Sequence, residues 1–145
     1  MVPPSFFRPA ALALLAALLA IGVGCQRDPK RAAVSGQVLI DKVPLMEGSI
    51  SFFPVEGTEA PEVGDIIKDG RYAIPSNRGV IVGKNKVVIR GFRNSGKKIP
   101  DLVDKNKMVD ERVKAVGAEF NDKTSLTRHI QEGQNTLDFD LPGIK

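Results

Sequence analysis

The side chains best suited to nucleophilic or metal chemistry are one cysteine and one histidine, Cys25 and His129. A catalytic dyad needs a base beside the nucleophile and a third group that orients the base. Tetrahedral zinc sites draw on several His or Cys ligands, and this sequence offers only these two. The sequence therefore predicts no dyad and no zinc site, and it places His129 on the wet face of a strand.

Carboxylates and glycines give no stronger indication of a catalytic or cofactor site. Asp101, Asp104, Asp110 and Glu111 lie close in sequence, but lysines separate them and no Asp-x-Asp-x-Asp-Gly calcium loop is formed. The glycines of Gly79–Gly83 lack the spacing of a phosphate-binding loop and the Lys-Ser or Lys-Thr that follows one. We therefore expect a protein without enzymatic activity, bound metal or cofactor.

Cys25 has a more specific context, because it directly follows the apolar run Ala10–Gly24 and precedes the polar stretch Gln26–Arg31. A lone thiol cannot form an internal disulfide. The tetrapeptide Gly22–Cys25 resembles the lipobox of bacterial lipoprotein signals. That resemblance implies removal of residues 1–24, a diacylglyceryl group on the Cys25 thiol and an acyl chain on the new N-terminus.

The lipoprotein interpretation makes membrane lipid a partner through Cys25 and places the chain in the bacterial cell envelope. Gln26 is not the Asp that often retains lipoproteins at the inner membrane, which favours the periplasmic side of the outer membrane. Two alternatives remain: a plain secretory signal with an incidental cysteine, and an uncleaved membrane helix. The run of roughly 15 apolar residues is shorter than the ~20 that span a bilayer.

Length and composition predict one compact all-β domain. Removing residues 1–24 from the 145 leaves 121, enough for a single core. The net charge is +4, yet the basic residues form no stripe and are not interleaved with aromatic residues. We therefore expect no nucleic-acid partner. Frequent Gly and Pro between short Val, Ile and Phe runs are typical of β-structure.

Alternating apolar residues and turn signals divide the chain into a tether and a domain. Residues 25–33 are predicted to be the lipidated cysteine and a polar tether, and residues 34–145 the domain. The strongest local signal is Asp69–Gly70, which suits a tight hairpin. The domain is predicted to be a seven-stranded antiparallel β-sandwich with strands at Val34–Ile40, Ser49–Phe53, Gly64–Lys68, Arg71–Ile74, Asn85–Phe92, Ser125–Ile130 and Thr136–Leu141.

The periodicity changes after Arg93 and predicts a short helix near Asp104–Val116, before the last two strands. Pro100–Asp101 supplies a start signal and Gly117 a stop signal. The alternative is an extended polar connection. Four apolar residues fit one helical face: Leu102, Val109, Val113 and Val116.

Six segments resemble carboxypeptidase regulatory-like domains and the small bacterial lipoproteins built on them. The resemblance implies a transthyretin-like (prealbumin-like) β-sandwich over nearly all of the mature chain. It is a resemblance to the regulatory appendage and not to a catalytic carboxypeptidase domain. The segments are Val34–Gly36, Asp41–Gly48 with Ile50–Pro54, Lys68–Tyr72, Phe120–Thr127 and Asn135–Leu141.

The sequence thus predicts a lipid-anchored cell-envelope domain with a non-catalytic binding or structural role. Its partner would be an envelope protein or polysaccharide that the sequence does not identify. The alternative is a carbohydrate-binding module of the cell envelope, with Phe53 and Phe92 as the candidate aromatic platforms, since the chain has no Trp. An enzyme with an unrecognised site would instead show a concave pocket lined by convergent polar groups.

Overall fold

The computed structural model describes residues 29–55 and 60–144, which form eleven strands and two single-turn 3-10 helices, Ser76–Arg78 and Ala118–Phe120. Cys25 and the predicted signal segment lie outside the described residues. The strands are β1 Arg31–Ile40, β2 Val43–Pro44, β3 Glu47–Pro54, β4 Val63–Lys68, β5 Arg71–Ile74, β6 Val80–Ile81, β7 Gly83–Pro100, β8 Met108–Lys114, β9 Thr127–Ile130, β10 Gln134–Thr136 and β11 Phe139–Leu141.

The prediction of an all-β fold is confirmed. One sheet runs in the order β10-β1-β5-β4-β3-β7-β8, and β9 pairs with β7. Pairing is antiparallel except where β10 and β11 run parallel to β1. Because β9 joins one side of the sheet and the chain then returns to β1 on the other, the sheet curls into a half-barrel around its core.

The core consists of the inward residues of alternating strand positions, as the period-two pattern requires. Ile50 pairs with Ile89 and Phe52 with Val87 across β3 and β7, and all four side chains are buried. One fully buried polar residue lies among them. The Asn85 amide donates to the carbonyls of Ile81 and Gly83 at 2.8 and 3.0 Å, which fixes the start of β7.

The hairpin predicted from Asp69–Gly70 is confirmed. β4 and β5 meet at the pair Lys68 and Arg71, and φ is 51° at Asp69 and 74° at Gly70. Two successive positive φ angles define the turn whose twist matches that of the flanking strands. Tyr72 and Ile74 point inward, as predicted, and both are buried.

The short helix predicted near Asp104–Val116 is wrong, because Met108–Lys114 is strand β8, paired with β7. Val109 and Val113 are four residues apart, a spacing that fits one face of a helix and equally one face of a strand. β-Branched residues and a long antiparallel partner favour the strand. Gly83–Pro100 is correspondingly longer than the predicted strand Asn85–Phe92.

The last predicted strand, Thr136–Leu141, is divided into β10 and β11. Leu137 remains between them and donates its N–H to the Ser35 carbonyl at 2.8 Å. Its own carbonyl accepts the Tyr72 hydroxyl at 2.8 Å, and Asp138 accepts the Gln37 N–H at 2.8 Å. A side chain has taken the place of one ladder bond, which interrupts the strand.

β1 and β7 point in the same direction, from one end of the molecule to the other, with β5, β4 and β3 between them in the sheet. At the N-terminal end, the Val82 N–H that precedes β7 donates to the Lys30 carbonyl that precedes β1, at 2.9 Å. At the far end, Leu45 joins both strands: its N–H donates to Val38 at 2.9 Å, and its side chain packs against Gly91. β1 begins at Arg31, three residues before its predicted start, because Ala32 is buried in the core.

Candidate functional site

A groove of about 820 Å³ lies at the far end of the molecule. Its walls come from the β1–β3 connection, the β7–β8 hairpin and the C-terminal segment, which are distant in sequence. The lining residues are Ile40, Asp41, Val43, Pro44, Leu45, Met46, Glu47, Phe92, Arg93, Asn94, Asp110, Arg112, Ala115, Gly143 and Ile144.

The floor of the groove is Leu45, seated over a pair of glycines. Gly48 on β3 faces Gly91 on β7. A Cβ on Gly91 would lie 2.6 Å from both Leu45 methyl carbons, and one on Gly48 would lie 3.0 Å from one of them. Two adjacent positions without side chains therefore give the buried Leu45 its place and close the core beneath the groove.

The connection that carries Leu45 is held by main-chain hydrogen bonds to the β4–β5 turn. Leu45 accepts the Gly70 N–H at 2.8 Å, and Met46 accepts the Asp69 N–H at 3.0 Å. The wall is thus positioned by two hairpins at once. A preformed surface of this kind binds with a smaller loss of conformational entropy than a mobile loop.

Four apolar side chains in the groove are exposed to solvent. Val43 is 63% exposed, Met46 58%, Phe92 45% and Ile144 44%. Single exposed apolar residues are ordinary, but several lining one concave surface are typical of a binding site. The groove therefore offers an apolar surface for a ligand or a partner protein.

Charged side chains surround this apolar surface and pair with one another. Arg112 on β8 forms an ion pair with Glu47 on β3, and its guanidinium lies 5.4 Å from the centre of the Phe92 ring. Asp110 pairs with Lys98 at 3.0 Å. Neither Glu47 nor Asp110 therefore lies beside a candidate nucleophile. The groove has a rim of both charges around an apolar centre.

One rim of the groove is the two-residue turn Asp41–Lys42, in which φ is 49° and 68°. Lys42 forms an ion pair with Asp140 and donates its N–H to the same carboxylate at 3.1 Å. The hydrogen bond from Lys42 lowers the pKa of the Asp140 carboxyl, and that bond raises the pKa of Lys42 in turn. Asp41 accepts the Gly143 N–H at 3.1 Å, which ties the turn to the C-terminal segment.

A second hollow of about 490 Å³ lies beside Gly36 on β1, between Asp65, Arg71 and Asp138. Burial raises the pKa of the Tyr72 hydroxyl at its inner edge, and the nearby Asp138 raises it further. This hydroxyl donates to the Leu137 carbonyl. It is therefore a protonated structural donor at neutral pH rather than an acid or base.

The two predicted aromatic candidates lie in different surroundings. Phe92 lines the groove, whereas Phe53 is half-buried on β3 with the Lys86 ammonium 5.2 Å from its ring centre. His129 is exposed on β9, as predicted. Sequence reasoning missed Val43, Met46 and Ile144 as groove residues. Val43 and Met46 are apolar residues in the connection between the first two predicted strands, and this is the signal that could have found them.

The four clustered carboxylates do not converge. Asp101 and Asp104 lie in the turn between β7 and β8, Asp110 pairs with Lys98, and Glu111 accepts the Ser95 hydroxyl at 2.5 Å. Within residues 29–55 and 60–144, no group of three or more His, Cys, Asp or Glu side chains could hold a metal ion. The same part of the chain contains no helix long and apolar enough to cross a membrane.

Comparisons with known proteins show neither a family nor a common fold for this chain. No family model matches the sequence, and no curated protein does either. Among solved structures, a 9R-lipoxygenase from Cyanothece PCC8801 aligns with 90% of this chain and 20% of its own, at 14% identity and a TM-score of 0.29. The chain thus spans about a fifth of that protein's length, and so low a TM-score establishes neither a common fold nor a common function.

Proposed function

We propose that this chain is a lipid-anchored domain of the bacterial cell envelope with a non-catalytic binding role, and that the far-end groove is its binding surface. The observation that carries the proposal is the groove itself, with four exposed apolar side chains around a buried leucine floor. Its volume of about 820 Å³ lies within the range of roughly 300–1,000 Å³ found for small-ligand sites.

The direction of the strands supports a role that combines anchoring with binding. Lipid on Cys25 would hold the N-terminal end of β1 near a leaflet, since residues 26–30 span at most ~18 Å when fully extended. The groove lies at the opposite end and would face the aqueous compartment. This is the arrangement expected of a domain that presents a binding surface away from its membrane.

The proposal includes the finer fold expected from the sequence, a seven-stranded transthyretin-like sandwich. The β4–β5 hairpin at Lys68–Tyr72 and the core formed by β1, β3 and β7 support it. Two features differ from an all-antiparallel seven-stranded sandwich: β10 and β11 run parallel to β1, and the β7–β8 hairpin is long. An experimental structure of the mature chain tests this part directly.

A role without catalysis is supported by the chemistry of the groove. Two of its acidic side chains, Asp110 and Glu47, pair with Lys98 and Arg112, and its centre is apolar. The third, Asp41, accepts the Gly143 N–H. An enzyme site would place a nucleophile or a base of altered pKa in the cavity. In the groove as described, the polar groups form its rim and leave the centre to hydrophobic contact.

The proposal is tested by capture from solubilised membranes with the intact lipoprotein. We expect Val43→Ser combined with Met46→Ser to lose the captured partner, whereas Ile66→Ser, an equally exposed apolar residue on β4, should retain it. Cys25→Ser and mass spectrometry of the mature N-terminus test the anchor separately. Identical capture by the groove variant and the wild type would reject the groove. A retained leader or an unmodified thiol would reject the anchor.

A carbohydrate ligand is the second candidate, favoured by the half-exposed Phe92 ring in the groove. Sugar rings stack on exposed aromatic faces, although one side of this ring is approached by Arg112. The same variants on an array of envelope glycans decide between the candidates. Glycan binding that is lost in Phe92→Ala and retained in Phe53→Ala would assign the groove to polysaccharide.

A further inference from the structure

The β7–β8 hairpin extends beyond the rest of the sheet as an arm, which we define as residues 93–113. β3 pairs with β7 only as far as Glu47 and Phe92, and beyond that point β8 is the partner of β7. A free two-stranded ribbon is only marginally stable in water. Within the described residues, the arm has no third strand to stabilise it.

The tip of the arm exposes the two most solvent-accessible apolar side chains of the described residues. Leu102 is 97% exposed and Val103 is 95% exposed. They are adjacent in the turn between the strands. Ile99 and Met108 lie just below them, and both are also exposed. Leu102 and Val103 are thus almost uncovered by the described chain, whereas Ile99 is 38% exposed and Met108 51%.

The tip is held in a defined conformation by its aspartates. The Asp101 carboxylate accepts the N–H groups of Val103 and Asp104 at 2.8 and 3.0 Å, and Asp104 accepts that of Asn106 at 3.1 Å. The Asp101 N–H donates to the Lys107 carbonyl at 2.8 Å. Backbone donors satisfied in this way can enter an apolar medium at much lower cost than free ones.

Lysines lie on both sides of the apolar tip, whose immediate neighbours are Asp101 and Asp104. Residues 97–107 contain four lysines and two aspartates, so this segment carries a net charge of +2. The lysines lie on both sides of the turn, at Lys97 and Lys98 on β7 and at Lys105 and Lys107 after it. Lys98 already pairs with Asp110 at 3.0 Å, so Lys97, Lys105 and Lys107 are the lysines that complement an anionic lipid surface.

We propose that the tip inserts Leu102 and Val103 into an anionic lipid bilayer, with Lys97, Lys105 and Lys107 at the headgroups. A protein partner is disfavoured by area, because two side chains on a narrow turn offer far less than the ~800 Å² per partner of a stable interface. A bilayer needs no matching surface. The proposal stands independently of lipid on Cys25, since the arm projects from the end of the molecule opposite to β1's start.

The absence of Trp from the chain makes a direct test available. In the full chain carrying Cys25→Ser, Leu102→Trp is mixed with vesicles of phosphatidylglycerol and phosphatidylcholine. We expect a blue-shifted emission and strong quenching by brominated acyl chains. Ile66→Trp, on exposed β4, is the matched control and should show neither. The readout is local to position 102, so vesicle binding by the apolar run of residues 10–24 does not imitate it.

Two further variants separate the apolar and charged contributions. Adding Val103→Ser to Leu102→Trp should raise the lipid concentration at half-maximal shift about tenfold. Lys105→Gln with Lys107→Gln should raise it roughly fivefold per lysine on anionic vesicles and little on phosphatidylcholine alone. No shift at position 102 with anionic vesicles overturns the proposal, as does a shift obtained only with an added membrane protein.

Discussion

Lys42 and Asp140 show how a single ion pair can hold a binding wall in place. Lys42 is one of two adjacent non-glycine residues with positive φ at the groove rim. That conformation is costly for a residue with a Cβ. The Asp140 carboxylate opposes this cost, because it accepts the Lys42 backbone N–H and pairs with its ammonium group.

We expect the Asp140 pKa to move towards its ordinary value of 3.8 in Lys42→Met. Met keeps the length of the side chain and the positive φ, so only the charge and its hydrogen bond are removed. The carboxyl should stop short of 3.8, since the backbone N–H of residue 42 still donates to it. Carbon-detected NMR titration of the aspartates measures the shift. Lys30→Met, which removes the partner of Glu132, is the control and should leave Asp140 unchanged.

The same pair sets the pH window in which it stabilises the fold. The lowered pKa of Asp140 gives a contribution that is present above 3.8 and is lost as the pH falls through the folded-state value. The raised pKa of Lys42 gives one that is present below 10.5 and is lost as the pH rises through its folded-state value. The difference in Tm between wild type and Lys42→Met should therefore be constant near neutrality and shrink at both extremes. A difference independent of pH would show that the pair does not act through charge.

Among the strands, β1 depends on a residue that has no side chain. A Cβ at Gly36 would overlap the Leu137 carbonyl, which lies between β10 and β11 as they run parallel to β1. The obstruction is main chain, held on its other side by the Tyr72 hydroxyl. The interruption between β10 and β11 therefore requires a glycine at position 36 of β1.

We expect Gly36→Ala to lower the free energy of unfolding by about 3 kcal/mol, because the obstructing atoms belong to a hydrogen-bonded backbone that cannot turn aside. Ser35→Ala, the exposed neighbour, should change it by less than about 0.5 kcal/mol. Tyr72→Phe should cost about 1 kcal/mol, the value of one hydrogen bond. Urea unfolding of the three variants gives the comparison. A Gly36→Ala variant as stable as Ser35→Ala would show that the Leu137 carbonyl does not pack against Gly36 as described.

Local chemistry decided which elements the sequence could predict. Asp69–Gly70 specifies its hairpin through the conformational freedom of two adjacent residues, and the strands beside it follow. The helix predicted near Asp104–Val116 is wrong because the valine spacing fits the periods of both a helix and a strand. Only pairing with β7 decides between the two. Alternation predicted which face of each strand is buried, but it could not predict the parallel pairing of β10 and β11.

At the scale of the whole molecule, the groove could not be predicted, because its lining residues belong to segments that are distant in sequence. Met46, Phe92 and Ile144 come from three segments that the curled sheet brings to one end. Leu45 reaches its place only because glycines on two other strands are directly paired. The tip of the arm is different: Leu102 and Val103 were visible in the sequence as apolar residues between charges. The prediction places Leu102 on a helical face, which hides its exposure.

The proposed anchor and the proposed tip would place lipid contacts at opposite ends of one molecule. β7 starts beside Lys30 and runs for 18 residues to the tip, a length of up to ~60 Å at about 3.3 Å per residue. The linker of residues 26–30 is too short to bring the tip back to the leaflet that holds Cys25 while the domain stands upright. The two contacts then belong to two different bilayers.

We therefore expect lipidated protein in one vesicle population to capture a second, anionic population. Donor-labelled vesicles carrying the lipoprotein are mixed with acceptor-labelled phosphatidylglycerol vesicles, and energy transfer or light scattering reports their association. Leu102→Ser with Val103→Ser should abolish capture while leaving the protein anchored, and Ile66→Ser should leave capture intact. Capture should weaken steeply with added salt, since the lysine contribution is screened within about 10 Å at 0.1 M. A Trp at position 102 that inserts without vesicle capture would mean that the domain lies flat on one leaflet, contradicting the two-bilayer arrangement but not the insertion of the tip.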